Sequence, residues 1–519
     1  MSGPGTDVFV GVDLGTSSLK AVALTSTGEV VGRASEPYPT LRPEPQASEQ
    51  DPAAWRAAFG AAMRHLSEQV PQKRWAALGL SAMIPTLVVT DDEGDPVGPA
   101  ITWEDARAEA EGVRLREQVG AERLYRETGQ WVDGRYLLPM LLRIASADPS
   151  QLARARWILG AKDYLFWRLT GTRVTDPSTA TGFGCYSLHS DGWIEHVAEA
   201  AGAIARAAIP SLPTVRPSMH SAPVTGVARR ELHLPPGLPI VLGAADSVLA
   251  AHGLGVREEG DVAYVAGTST VVLGVSTTPD VDSAHRYLVT PMAFPGWWGL
   301  EMDQLATGSA VRWLGELMGM SEADVIDSAA ASTSKRPPLF LPYVAPGEQG
   351  ALWDPSLTGS VTALTLEHTS ADVARALLTG LILESRRSLE VLADATGVRG
   401  DIRVTGSGAS SSLFQQDLAD ATGRSVVVVG GHDHSAIGAA MLAASGSGVS
   451  ITSGSALGGS AEPARIVRPD ARAEPAWIDR ARTHDEALEA QRALTENQRV
   501  SGAEGSLTPH MTGHTVHTK

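Results

Sequence analysis

The sequence predicts an α/β protein of two domains, and three observations carry that expectation. Strands and helices alternate along the chain rather than segregating into blocks. A strand–turn–strand unit with a Gly-Thr-Ser turn at its tip occurs near the start, at Gly15-Thr16-Ser17, and again past the middle, at Gly267-Thr268-Ser269. The chain has 519 residues, too many for a single hydrophobic core.

The elements follow in order. Val8–Val12, Leu19–Leu24 and Val30–Ala34 read as a three-strand meander split by the first Gly-Thr-Ser turn and by Thr27-Gly28. Asp51-Pro52 opens a helix, with Asp at the cap and Pro in the first turn. Ala76–Ser81 and Leu87–Thr90 read as strands, Trp157–Leu169 as an apolar helix stopped by Gly171, and Ile240–Gly243 as a buried strand running into a helix at Ser247–His252. The second half repeats the plan. Asp261–Val265 and Val271–Val275 flank the second turn, and helices follow at Ala306–Met318 and Ser370–Thr396. Ile402–Thr405 and Val426–Val429 are strands, Ala436–Ala444 and Asp485–Leu494 helices. Gly446–Gly459 is expected to be a flexible loop. The domains are expected at 1–249 and 250–499, with a disordered tail at 500–519 whose His510, His514 and His517 cannot hold a metal from a mobile segment.

Composition narrows the classes of function. Hydrophobic residues make up 43% and charged residues 19%, ordinary for a globular enzyme. A formal net charge of −17 argues against a nucleic-acid binder, because phosphate backbones are held by clustered Lys and Arg. The lone Cys185 excludes an internal disulfide framework and reads as a small core hydrophobe. No secretory leader and no apolar run of membrane-spanning length is visible, so a cytoplasmic protein is expected.

The chemistry gathers around glycine-rich turns. Gly15, Thr16 and Ser17, like Gly267, Thr268 and Ser269, offer small hydroxyls and backbone N–H groups that can surround an anion. Glycine at each tip is expected to serve a positive φ or a close approach. Two such tips suit a polyphosphate held between two domains. Asp13, beside the first, is a hard oxygen donor suited to Mg²⁺. Lys20 could reach the phosphates, or be a solvated strand lysine. Asp246 stands at the end of a buried strand ahead of a helix, where ligands bind in open α/β sheets. Its two readings are an N-cap and a general base that takes the proton of a substrate hydroxyl attacking a γ-phosphoryl group. Gly406, Ser407, Gly408 and Ser411 form a third cluster between a strand and a helix, where a flat ligand can lie on backbone. Trp103, Asp105 and Arg107 fall on one face if their segment is extended. They suit a polyol, with a surface salt bridge between Asp105 and Arg107 as the competing account.

Taken with Lys162-Asp163-Tyr164-Leu165, Thr175-Asp176-Pro177-Ser178, Leu341-Pro342-Tyr343 and Ala436-Ile437-Gly438-Ala439-Ala440, these motifs resemble the FGGY carbohydrate kinases in family order across nearly the whole chain. The resemblance implies two ribonuclease-H-like domains of the actin, Hsp70 and sugar kinase superfamily, with ATP and Mg²⁺ in the cleft between them and Asp246 in the base position. It implies a small-molecule sugar as partner, no nucleic acid, no membrane, and is compatible with a homodimer. The region Ala306–Leu314 resembles xylulokinases, so a ketopentose such as D-xylulose is the expected acceptor. Those enzymes carry a Met-His pair where this chain has Met83-Ile84, so one polar contact to the sugar is lost. The run Gly347-Glu348-Gln349 is similar to gluconate kinases without their Arg after Glu. A gluconate or other polyol kinase is therefore the alternative. A non-catalytic ATP-binding protein of the chaperone or actin type, or a regulatory pseudokinase, is the alternative from another class.

Overall fold

Two sheets with the same strand order organise the computed structural model, which describes residues 7–345, 350–352, 354, 356–451 and 464–505. The first sheet has six strands in the spatial order Ser221–Pro223, Pro239–Ala245, Trp75–Ala82, Val8–Leu14, Ser18–Thr25, Val30–Pro37. The second has seven, in the corresponding order Arg465–Val467, Val426–Val428, Ile402–Thr405, Val262–Ala266, Thr270–Ser276, Trp298–Gln304, Leu288–Pro291. In each, an antiparallel hairpin supplies the middle strands. Its first strand runs parallel to the next two, and a short antiparallel strand closes that edge. The duplication legible in the Gly-Thr-Ser turns is thus a duplication of whole sheets.

The halves are joined by two crossing helices. Asp246–Gly253 leaves the first sheet, and His434–Gly446 leaves the second. They pack on each other, and His434–Gly446 also lies across strands Val8–Leu14 and Trp75–Ala82 of the first sheet. The approach is so close that side chains are excluded. A Cβ on Gly11 would sit 1.8 Å from the Ala436 carbonyl oxygen, and one on Gly438 1.9 Å from that of Leu249. The alanine-rich stretch is therefore a contact surface between the halves, built of small residues because backbone meets backbone there.

Several expectations need correction. Trp157–Leu159 is a short strand that pairs with Val88–Thr90, and the helix begins only at Ala161, after Gly160. The pair stands outside both large sheets and helps pack a third core of Leu137, Leu141, Ile158 and Phe183. The last helix runs Glu474–Gly505, far longer than Asp485–Leu494, so Val500–Gly505 is helical rather than unstructured. The rest of the expected tail, with its three histidines, and most of the Gly446–Gly459 stretch lie outside the described residues. Cys185 is buried, with its thiol pushed up to about 12 by that burial, which makes it inert.

Candidate active site

Asp13 and Asp246 arrive at one place from two strands of the first sheet. Asp13 is near the end of Val8–Leu14, paired in register with Ser81 of the neighbouring parallel strand, and Ser81 Oγ donates to its Oδ1 at 2.7 Å. Burial raises the Asp13 pKa, opposed by the Ser81 hydrogen bond and Lys20. Asp246 opens the helix that follows Pro239–Ala245. Burial first, then the like charge of Asp13 and more weakly that of Asp303, push its carboxyl up to about 8. An acid whose charge raises another in this way lies close to it, although the two are far apart in sequence.

Asp246 owes its position to a break in the strand before it. Pairing of Pro239–Ala245 with Trp75–Ala82 shifts register between Val241 and Ala244. Gly243 has φ +79°, and its Cβ position lies 1.6 Å from the Leu80 carbonyl oxygen, so only glycine fits. A bulge of this kind re-aims the residues beyond it. Asp246 is the first residue of the helix rather than its N-cap, which is Ala245, and its Oδ1 accepts from the adjacent Ser247 N–H at 2.9 Å. Ser247 Oγ donates to Glu301 Oε2 at 3.3 Å, and Ser435 Oγ to the Asp246 carbonyl at 3.2 Å. The second half therefore reaches Asp246 from the crossing helix and its neighbour Ser247 from a strand.

The second hairpin and the third glycine cluster line one cleft. Gly267, Thr268, Ser407, Gly408 and Ser411 all border it. Gly406, at φ +97°, fits behind them with its Cβ position 2.0 Å from the Ala266 carbonyl oxygen. Thr307, Gly308 and Arg312 complete the wall. These were missed because they belong to a helix whose sequence carries no phosphate-binding signature. Its N-terminus faces the turn, with Ser309 N–H donating to Thr268 O at 2.9 Å.

The two tip glycines differ from the expectation. Neither Gly15 nor Gly267 has a positive φ. Added Cβ atoms would come no nearer than 3.4 Å to Ser18 O at the first and 3.5 Å to Ser269 O at the second. The folded chain by itself tolerates a side chain at both positions, so the space they leave is open to a ligand. At the first tip, Tyr38 OH donates to Gly15 O and Tyr38 N–H to Ser17 O, Gln50 Nε2 donates to Thr16 O, and Trp103 Nε1 donates to Thr16 Oγ1 at 3.2 Å. Trp103 is thereby tied to the turn.

Asp105 and Arg107 are not beside it on an extended face. The segment is a succession of turns, with Asp105 N–H donating to Thr102 O. The two-residue alternation therefore does not apply. Asp105 is 2% exposed. Its oxygens accept from the Ser48 N–H and the Arg107 guanidinium, while Arg107 also binds Glu44 and Glu49. This is the salt-bridge account. Lys20 is likewise engaged, 3.3 Å from Asp433, which also binds Arg33. Met83 is 1% exposed and packs in the first core, against which Trp103 also packs. Ile84 packs among the apolar residues around the crossing helices.

Sequence comparison gives a consistent answer. Residues 8–253 match the N-terminal domain, and residues 262–447 the C-terminal domain, of the FGGY family of carbohydrate kinases. A xylulose kinase of Escherichia coli (strain K12) is 30% identical over 447 residues, covering 84% of this chain and 89% of the relative. A gluconokinase of Bacillus subtilis (strain 168) is 28% identical over 454 residues, covering 84% and 87%. Among solved structures, a xylulose kinase from Rhodospirillum rubrum superposes with a TM-score of 0.84 at 27% identity, covering 94% of this chain and all of that one.

Proposed function

From the premise that the chain belongs to the FGGY family of carbohydrate kinases and is a sugar kinase, we propose that it transfers the γ-phosphoryl group of ATP to a hydroxyl of a neutral ketopentose such as D-xylulose. The observation that carries the reaction is the carboxylate of Asp246. It lies near Asp13 beside the first hairpin, with its affinity for a proton raised to about 8 by burial and Asp13. A base with a pKa near the working pH is suited to accept the hydroxyl proton as the sugar oxygen attacks phosphorus and ADP leaves. The second hairpin and the Gly406 loop would hold the nucleotide, the first hairpin its phosphates.

The residues present fit a magnesium ion. Asp13 is a single buried carboxylate, and one or two carboxylates plus phosphate oxygens suffice for Mg²⁺. When bound with the nucleotide, the ion supplies neutralisation of phosphate charge. Ser81 orients the carboxylate that would hold it.

Charge supports a neutral acceptor. The carboxyls of Asp13 and Asp303 both disfavour a further negative charge beside Asp246. Arg135, the cation that acts on Asp303, is also committed to Asp133 at 2.7 Å. By its resemblance to gluconate kinases the chain has Gln349, which lies outside the described residues, in the place of their Arg. An aldonate would approach Asp246 against this field, whereas a ketose would not. Xylulose kinases among the relatives agree with this choice, and the gluconokinase relatives name the competitor.

A coupled assay for ADP over D-xylulose, other ketoses, neutral polyols and D-gluconate tests the reading. D-Xylulose, or a ketose close to it, is expected to show the highest kcat/KM. A preference for gluconate would overturn the choice of acceptor, and no turnover with any of them would favour an ATP-binding protein without kinase activity. Asp246→Asn is expected to lower kcat by at least about a hundredfold with ATP binding retained. An unchanged kcat would remove Asp246 from the base role.

A further inference from the structure

A buried ionic cluster ends on the backbone of the strand that carries Asp246. Lys162 and Asp163 open the helix Ala161–Thr170, and Asp176 caps the short helix Pro177–Thr181. All three are within 1% of complete burial. Lys162 Nζ donates to Asp163 Oδ1 at 2.7 Å and lies 3.0 Å from Asp176 Oδ1. The other oxygen of Asp176 accepts from Ser178 Oγ at 2.6 Å, from Ser178 N–H at 3.1 Å and from Ser218 Oγ at 3.0 Å. Ser178 Oγ, its own proton committed to Asp176, then accepts the Ala245 N–H at 2.9 Å. The Ser218 carbonyl accepts the Gly243 N–H at 2.9 Å.

These partners fall where the sheet stops supplying its own. Gly243 lies in the register shift between Val241 and Ala244 that interrupts the ladder with Trp75–Ala82, and Ala245 is the last paired residue before the strand ends; a buried N–H left without an acceptor is costly. Three residues later the chain must present Asp246. Buried ion pairs of this type contribute little net stability over an apolar core of equal volume, and their best-supported use is to fix a single arrangement. Nothing in the phosphoryl transfer requires the cluster to touch a substrate.

We infer that Lys162, Asp163, Asp176, Ser178 and Ser218 form a positioning device for Asp246, which clamps the bulged strand through the Ala245 and Gly243 amides and so sets the direction of the carboxylate. The inference rests on the reading of Asp246 as the base. Ser178 is the side chain through which the charged cluster hydrogen-bonds to the strand next to Asp246, so it is the point at which to cut. Misplacement of a reacting group by about 1 Å can cost about a hundredfold in rate.

The test is a double-mutant cycle in the full chain with Ser178→Ala and Asp246→Asn, read by kcat and by the KM values for ATP and sugar. Ser178→Ala is expected to lower kcat at least about tenfold, with the ATP KM changed less than about twofold. In the Asp246→Asn background it is expected to have no further effect, because a positioned group has been removed already. Ser218→Ala keeps the carbonyl that holds Gly243 and is expected to lower kcat less than Ser178→Ala. Additive losses in the cycle, or an unchanged kcat in Ser178→Ala, would overturn the positioning role. An unchanged kcat in Asp246→Asn alone would instead remove the base, and this inference with it. Should Ser178→Ala fail to fold, Ser218→Ala run through the same cycle decides between additive and non-additive loss.

Discussion

At the scale of single residues, a carboxyl pushed up to about 8 is a cost to the fold as well as an asset to the proposed reaction. Asp246 binds a proton more tightly in the folded chain than at the ordinary carboxylate value of 3.8. The folded state therefore carries the extra proton between these values, and the contribution of Asp246 to stability falls as pH rises through that window. Asp246→Asn is thus expected to melt above the unaltered protein near pH 8, with the difference closing toward pH 4, in a series of melting curves. The activity of the unaltered enzyme runs the other way. Its kcat/KM for the sugar is expected to rise with pH up to about 8, where the free carboxyl ionises. Arg107→Ala offers a contrast. It strands the buried carboxylate of Asp105, so it is expected to cost about 3 kcal/mol of stability while leaving the sugar KM nearly unchanged. A raised sugar KM with an unaltered melting temperature would return Arg107 to the pocket. Asp246 and Asp13 were legible because strand-end acids beside glycine turns are a local pattern. Ser81, Asp303 and Arg135 were not: pairing of distant strands brings Ser81 to Asp13, while Asp303, on a strand of the second sheet, and Arg135, in the turn before Leu137–Ala147, come near only through the packing of the whole chain.

At the scale of elements, the hairpins and the helix at Ser370–Thr396 could be read almost to the residue, since period and capping residues are contained within each. The strand Trp157–Leu159 was misread because a short apolar run reads equally as a buried helix turn, and its partner Val88–Thr90 is distant in sequence. The tip glycines give the sharpest prediction at this scale. Gly267 has room for a side chain in the folded chain. Gly267→Val is therefore expected to keep native circular dichroism and to lose ATP binding in calorimetry. Normal ATP affinity in that variant would exclude the second turn from the nucleotide site. Gly438→Val is expected to behave oppositely. Its Cβ would meet the Leu249 carbonyl oxygen at 1.9 Å, so the crossing of the two helices should fail and cooperative melting be lost. A soluble variant that melts normally would show that the helices can separate.

At the scale of the molecule, the proposed reaction puts the acceptor and the nucleotide on different halves, and the two crossing helices are where those halves meet. Lys20 and Arg33 of the first sheet add an ionic tie to Asp433 at the start of the second crossing helix. Binding of sugar with a non-hydrolysable ATP analogue is expected to reduce the radius of gyration in small-angle scattering, as the halves close and exclude water from the transfer. The order in which the chain is made meets a difficulty here. The ribosome releases the whole first sheet, strands Val8–Leu14 and Trp75–Ala82 included, long before it releases His434–Gly446, the helix that covers them. Until then a glycine-lined groove stands exposed on the nascent N-terminal half. A chain cut after residue 260 is accordingly expected to bind a dye for apolar surface and to aggregate, and a separately made second half, added in trans, to restore solubility and activity together. Each half is an unfinished globule whose missing piece is encoded in the other.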